Sequence, residues 1–267
     1  MLTPARRRGI EVIDDPHLDA ALVTRSLRDV ATANTLFGGR RAVLRELDAV
    51  LGTLGPQATL LDVGTGLGDI PFHARRLAER RGVRLTTVGV ELSEPLAAAS
   101  VARTGASMCA DAFRLPLRDR AVDVVTCSQV LHHFVEADGA RLLTELSRVA
   151  RARVIVSDLR RSWLAAAGFW LASWPLGFHP ISRHDGVLSV LRGFTARELD
   201  AQVRAACGTA PRVHHRLGWR VTAAWTPAGA RQDAAALGAP RSTQAPVPEQ
   251  PAHGAWSADR RSDPAER

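Results

Sequence analysis

The 267-residue chain contains no lysine and no tyrosine, so all 35 of its basic residues are arginine. Without lysine there is no phosphate loop of the G-x-x-x-x-G-K-[ST] type. The complete replacement of lysine, with much Ala, Arg, Gly and Pro, reads as a bias toward GC-rich codons. Cysteine is scarce. Cys109, Cys127 and Cys207 form no C-x-x-C pair, and two of them lie in apolar strand-like runs, which predicts reduced buried thiols and a cytoplasmic protein. The opening "MLTPARRRGIEVIDDP" has basic residues but no apolar stretch, so no signal peptide is visible. The longest uncharged run, Ser162 to Phe178, is at the lower limit for a membrane span, and Pro175 interrupts it. It reads as a buried or interfacial helix, with peripheral membrane contact left open. Histidines and acids do not cluster at ligand spacings, so no metal is expected.

The net charge is +8. The arginines fall in dispersed pairs, such as Arg40-Arg41, Arg75-Arg76, Arg80-Arg81 and Arg160-Arg161, and no basic stripe interleaved with aromatics is present. That pattern fits a solvated arginine surface better than a nucleic-acid partner.

What is present is an alternation of strand and helix. Residues 1–55 read as helical, with Leu18, Ala21, Leu22 and Leu27 near helical spacing. Val43, Leu44, Leu47, Val50 and Leu51 make a second apolar face, ended by Gly52 and Gly55-Pro56. Strands are predicted over 59–63, 85–90, 106–110, 121–128 and 153–159, and helices over 69–81, 93–104 and 138–150. Such a rhythm gives a parallel sheet with helices on both faces. Residues 179–186, "HPISRHDG", read as a loop. Thr195 and Glu198 form a capping box for a helix over 195–207. Residues 212–217 and 220–225 flank Gly218-Trp219 as an antiparallel hairpin. Residues 227–267 lack periodicity and read as a disordered tail. Domains are therefore expected at 1–55 (a helical lid), 56–226 (the ligand-binding domain) and 227–267 (the tail).

The loop "LLDVGTGLGDIP" (60–71) ends the first strand of that sheet. A dinucleotide fingerprint, G-x-G-x-x-G, would need its third glycine at Asp69. The glycines here are Gly64, Gly66 and Gly68, flanked by Asp62 and Asp69. Acids are poor neighbours for a pyrophosphate and good ones for a cation, which points to the ammonium and sulfonium of S-adenosylmethionine (SAM). Glu91, ending the second strand, is placed to accept ribose hydroxyls, as in dinucleotide folds. Asp111, after the third strand, is placed to accept an adenine amino hydrogen.

"LLDVGTGLGDIP", "GVELSEP", "ADAFRLPLRDRAVDVVTCSQVLHHF" and "LLTELSRVARARVIVSDL" together resemble the successive motifs of class I SAM-dependent methyltransferases. More narrowly, they resemble the small-molecule group related to ubiquinone and menaquinone biosynthesis. The resemblance is close over about residues 59 to 160 and looser over 212 to 225. It implies an α/β, doubly wound, Rossmann-like sheet of seven strands ending in an antiparallel hairpin. It implies cofactor contacts at Asp62, Gly64, Thr65, Gly66, Gly68, Glu91, Leu92, Asp111 and Ala112, with Ser128-Gln129 at the methionine end.

The expected activity is methyl transfer to a small lipophilic acceptor, aromatic, polyketide or quinone-like, as in secondary metabolism, with O-methylation favoured over C-methylation. A hydroxyl acceptor benefits from a general base, and His133 and His184 are the candidate catalytic residues. His132 reads as a packing residue. Trp163, Trp170 and Trp174 fall on one helical face. They are core packing, an apolar wall for the acceptor, or a surface that meets a membrane. Two alternatives stand beside this reading: an NAD(P)-dependent oxidoreductase, and a SAM-binding protein without catalysis. Oligomeric state has no signal in the sequence.

Overall fold

In the computed structural model, residues 3–15 and 17–228 are described; the expected disordered tail lies outside them, apart from its first two residues. Seven strands form a single sheet: β1 (Gln57–Val63), β2 (Arg84–Glu91), β3 (Ala106–Cys109), β4 (Val122–Ser128), β5 (Ala150–Leu159), β6 (Arg212–Arg216) and β7 (Arg220–Trp225). Their spatial order is β3-β2-β1-β4-β5-β7-β6, with β7 antiparallel to both β5 and β6. The first five strands are parallel. The chain leaves β1 toward β2 on one side and returns to β4 on the other. A crevice therefore opens at the carboxyl ends of β1 and β4, where open α/β sheets bind ligands.

Alternation along the strands builds the two cores. In β1, Leu60 faces Val43, Leu47, Val50 and Leu51 of α2 (Gly39–Leu51) and Ala74 and Ala78 of α3 (Asp69–Arg80). Leu61 and Val63 face the other way, toward α5 (Glu136–Val149) and α8 (Ala196–Cys207). Neighbouring residues on a strand point to opposite faces, so a central strand apolar at 60, 61 and 63 must be covered on both. The capping box at Thr195 and Glu198 forms as expected.

Two further layers sit over the carboxyl ends of the strands. One is α1 (Ala20–Leu36), whose N-cap Asp19 accepts from the amides of Ala21 and Leu22. The other pairs α6 (Trp163–Ser173) with α7 (Pro180–Arg192). Helix α7 corrects the expected loop at 179–186. Pro180 occupies the first turn, where a missing N–H is harmless, and the His179 ring accepts from the Ile181 amide. Gly186 lets the Phe169 ring lie against the helix, where a Cβ would overlap it.

Candidate active site

Gly64, Gly66 and Gly68 all hold left-handed φ angles, +70°, +55° and +76°. Their surroundings differ. A Cβ on Gly64 would overlap Val130, and one on Gly68 would press on Thr104 and Arg103 of α4 (Glu94–Thr104). A Cβ on Gly66 would meet nothing within 4 Å. Gly64 and Gly68 thus permit packing, while Gly66 leaves backbone bare toward open space. The amides of Gly64 and Thr65 donate to the Val90 carbonyl at 2.9 and 3.1 Å, and the Gly66 amide donates to Glu91 Oε1 at 2.5 Å.

That space is a cavity of about 840 Å³. Gly64, Thr65, Gly66, Glu91, Leu92, Asp111, Ala112 and Ser128 all reach its wall. Asp111 caps its own turn, accepting from the Phe113 amide at 2.9 Å. The opposite wall is apolar, formed by Leu27 and Val30 of α1 with Phe37, Phe169 and Phe178.

Two of the expected contacts lie elsewhere. Gly68 sits behind the loop against α4 and is not on the wall. Asp62, 1% exposed, lies beneath the loop. Its carboxylate accepts from Thr126 Oγ1 at 2.6 Å and Thr65 Oγ1 at 2.8 Å, because register places Asp62 beside Thr126 on β4. Asp62 therefore braces the loop instead of facing a ligand cation. Asp69 reaches the wall, but its charge is matched by Arg103 at 2.9 Å and Arg40 at 3.5 Å.

Burial raises the Asp62 pKa to about 7; the two threonine hydroxyls oppose this, and the charges of Glu91 and Asp69 add to it. The folded state then keeps a proton that the unfolded chain releases near pH 4. Stability is lost as pH rises from about 4 to about 7. Asp62→Asn mimics the protonated acid. It is expected to melt higher than wild type at pH 8 and at nearly the same temperature at pH 4. A lower melting temperature at pH 8 would contradict this account.

The histidines divide unexpectedly. His184 is outside the cavity: its side chain is 63% exposed, and its Nδ1 meets Asp185 at 2.9 Å. This corrects its assignment as a catalytic candidate. Asp185 is the residue of that pair that turns inward. Its carboxylate accepts from the Val12 and Ile13 amides, both at 2.9 Å, and so anchors the N-terminal segment across α7. His133 does reach the cavity, with Nδ1 3.2 Å from Asp14 and Nε2 3.9 Å from Glu11.

His132, expected to be packing, is buried and on the cavity wall. Asp158, at the end of β5, accepts from His132 Nδ1 at 2.7 Å, from the His132 amide at 3.1 Å and from the Leu159 amide at 2.7 Å. A carboxylate taking three donors stays ionised, so its pKa is lowered despite burial. In the neutral ring the proton therefore sits on Nδ1; in the protonated ring Nε2 carries a second proton, 3.5 Å from Glu11 Oε1. Burial pulls the His132 pKa down, but Asp158 and Glu11 outweigh it and hold it at about 9. The Glu11 acid is pushed down to about 2: burial opposes that, and His132 and His133 drive it.

Glu11, His132 and His133 bring ligand-capable atoms within 4.8 Å of one another, a grouping that their scattered positions in the sequence hid. Arg192 lies 3.2 Å from Glu11 Oε1, and Ser189 donates to the same oxygen at 2.7 Å. The guanidinium and the proton on His132 supply the positive charge that a cation would bring. A second polar group, Asn34, Gln129 and Arg220, joins α1 to β4 and β7, with Arg220 Nη1 donating to Gln129 Oε1 at 2.6 Å. None of Glu11, Asn34, Asp158 and Arg220 carried a local signal; each matters only through a partner distant in sequence.

A family model described as a methyltransferase domain matches residues 61–156, the stretch from β1 to β5 that carries the glycine loop, Glu91, Asp111 and His132. Residues 61–156 thus carry a methyltransferase domain, and the activity it supports is SAM-dependent methyl transfer. The dinucleotide alternative falls with that match, and the cofactor is SAM. Solved structures similar to this methyltransferase include three examples. Magnesium protoporphyrin IX methyltransferase from Synechocystis PCC 6803, with SAH bound, is 15% identical (TM-score 0.48), covering 80% of this chain and 90% of that one. A SAM-dependent methyltransferase from Aquifex aeolicus is 18% identical (TM-score 0.48), covering 74% and 97%. A putative O-methyltransferase from Nostoc punctiforme PCC 73102 is 13% identical (TM-score 0.49), covering 77% and 69%.

Proposed function

We propose that this methyltransferase transfers the SAM methyl group to a phenolic oxygen of a small lipophilic acceptor, aromatic, polyketide or quinone-like, in the cytoplasm. The observation that carries the proposal is His132, a buried ring on the cavity wall whose Nδ1 is fixed by Asp158 and whose Nε2 lies 3.5 Å from Glu11 Oε1. When SAM is bound, it supplies an already activated methyl group: the acceptor oxygen forms the new C–O bond as the S–CH3 bond breaks, leaving a neutral thioether. The protein's share is alignment, exclusion of water and removal of the hydroxyl proton.

That proton passes to His132 Nε2. A base with a pKa of about 9 is well matched to a phenol at about 10. It is poorly matched to an aliphatic hydroxyl, which is far less acidic than a phenol. The pKa match is what favours an aromatic or enolic acceptor over a simple alcohol. Leu27, Val30, Phe37, Phe169 and Phe178 offer such a ring an apolar wall. The cavity lies toward the upper end of the roughly 300–1,000 Å³ range of small-molecule sites, which suits two ligands side by side.

For the cofactor half, the bare edge at Gly66 and the inward carboxylate of Glu91 fit a ligand with a ribose diol. Thr65, Leu92, Asp111, Ala112 and Ser128 complete that wall in this reading, and Asp62 holds the loop from beneath. Gly66→Ala has room for its methyl in the fold but pushes it into the cofactor's space. SAM affinity is expected to fall about tenfold, with a strain cost of about 1–2 kcal/mol from the left-handed backbone. Calorimetry checks the first and thermal melting the second; wild-type affinity would refute the assignment of Gly66.

The experiment that tests the function is mass spectrometry of a pool of phenols, hydroxypyrones and hydroxyquinones incubated with enzyme and SAM. A gain of one methyl group on oxygen, absent with His132→Gln, is expected. A gain on carbon or nitrogen would overturn the O-methylation reading.

A further inference from the structure

Helix α6 has no charged residue and two unlike faces. Ala165, Gly168 and Phe169 line the cavity. Trp163, Leu164, Trp170, Leu171 and Trp174 point outward and are between 47% and 63% exposed. Single exposed apolar residues are ordinary, but four large ones on one short helix and a fifth at its C-cap form a contiguous patch that calls for a partner. Arginines ring it. The Arg7 guanidinium lies 5.7 Å from the centre of the Trp163 ring, and that of Arg183 lies 3.9 Å from the Trp174 ring. Arg25 donates to the Gly177 carbonyl just beyond the helix, at 2.7 Å.

The geometry points to an anionic phospholipid membrane as the partner of this face, with α6 lying in the plane of the headgroups. Two observations favour a bilayer over a protein. Tryptophans bordered by arginines are the side chains that anchor at a lipid–water interface, with the ring at headgroup depth and the cation on phosphate. The net charge of +8 resides in residues 1–226, because the five arginines of 227–267 are matched by five acids. The 11-residue helix is about 16 Å long, and no helix among the described residues is long and apolar enough to cross a membrane. The surface therefore lies on the bilayer and does not enter it as a span. Since the inner face of the same helix lines the cavity, docking would hold that wall against the lipid phase.

Binding can be measured without turnover, so the result does not depend on the proposed acceptor. The full-length protein is sedimented with vesicles of phosphatidylcholine alone and of phosphatidylcholine mixed with phosphatidylglycerol, at low and high salt. The expected result is partitioning onto the mixed vesicles, little onto the neutral ones, and release as salt screens the arginines. The variant carrying Leu164→Gln, Trp170→Gln and Leu171→Gln keeps good helix formers, and none of the three positions lines the cavity. It is expected to bind mixed vesicles about tenfold more weakly or less, while its melting temperature and SAM affinity stay at wild-type values. Equal vesicle binding by the folded variant, or no binding of wild type to either vesicle, overturns the proposal. Sedimentation velocity supplies the rival outcome. A wild-type dimer that the triple variant splits would show that a second copy covers this face, and would also overturn it.

Discussion

Replacing His132 with glutamine is expected to lower kcat by about a hundredfold or more on a phenolic acceptor, with SAM affinity retained. The ring is the cavity-wall group whose second nitrogen is fixed by a buried carboxylate, so it is oriented before the acceptor arrives. Glutamine can donate its NH2 to Asp158 in place of the ring but cannot take a proton. The substitution also strips the cation from between Asp158 and Glu11, an uncompensated burial that costs about 3–5 kcal/mol. A loss of activity through unfolding must therefore be separated from a loss of the base, and the wild-type pH profile does this without any variant. His132 is held at about 9, so its neutral form is scarce at pH 7 and grows tenfold for each pH unit below 9. For a phenol of ordinary acidity, kcat/KM at saturating SAM is expected to rise with unit slope from pH 6 to 8 and to level near 9. Stability moves the other way. A histidine with a raised folded pKa contributes fully below pH 6.5, and its contribution is lost as pH rises through about 9. Activity that rises while the melting temperature falls is a signature that a purely structural role for His132 would not give. A flat rate profile over that range would remove His132 as the base.

The fold was legible because its signals are local. Apolar runs at 59–63, 85–90, 121–128 and 153–159, each followed by a helical period, define parallel strands whatever lies far along the chain. The cofactor loop was legible for the same reason: a left-handed backbone asks for glycine at the residue itself. Orientation was less so. Spacing put Asp62 next to the loop, but only the pairing of β1 with β4 shows that it meets Thr126 instead of the cavity. Spacing likewise put three tryptophans on one face of α6 without saying which face the rest of the chain covers. The loop expected at 179–186 was misread from residues that usually break helices. Pro180 sits in the one turn that tolerates it, and Gly186 is required by Phe169, a contact that local sequence does not encode. The proposed acid–base group was the least legible part. Glu11, His132 and Asp158 come from the N-terminal segment, the turn after β4 and the end of β5, and a triad recognised by geometry leaves no spacing to find.

Glu91→Gln is expected to weaken SAM binding about 10- to 100-fold, with kcat at saturating SAM little changed and the melting temperature close to wild type. Glu91 ends β2 at the cavity, and one of its oxygens already takes the Gly66 amide. Burial pushes its pKa up, so the ionised form depends on the donors it receives: Gly66 and Leu92 amides in the protein, and hydroxyls from a bound ribose. A carboxylate can accept from both hydroxyls of a diol while keeping the amide. Glutamine has a single acceptor oxygen, and its NH2 would face a donor. The loss of one charge-assisted hydrogen bond, with a donor left unsatisfied, is worth about 1.5–3 kcal/mol, which sets the expected range. Glu91→Asp separates charge from reach. It keeps two acceptor oxygens on a shorter stem, so it should bind SAM more tightly than Glu91→Gln does. If Gln and Asp bind equally well, the carboxylate is not accepting from the ribose and Glu91 merely braces Gly66. An acid in this position would serve a dinucleotide as readily, so the same titrations run with NADH carry separate information. Binding of SAM without NADH is the expected result, because Asp69 stands where a pyrophosphate loop would need its third glycine.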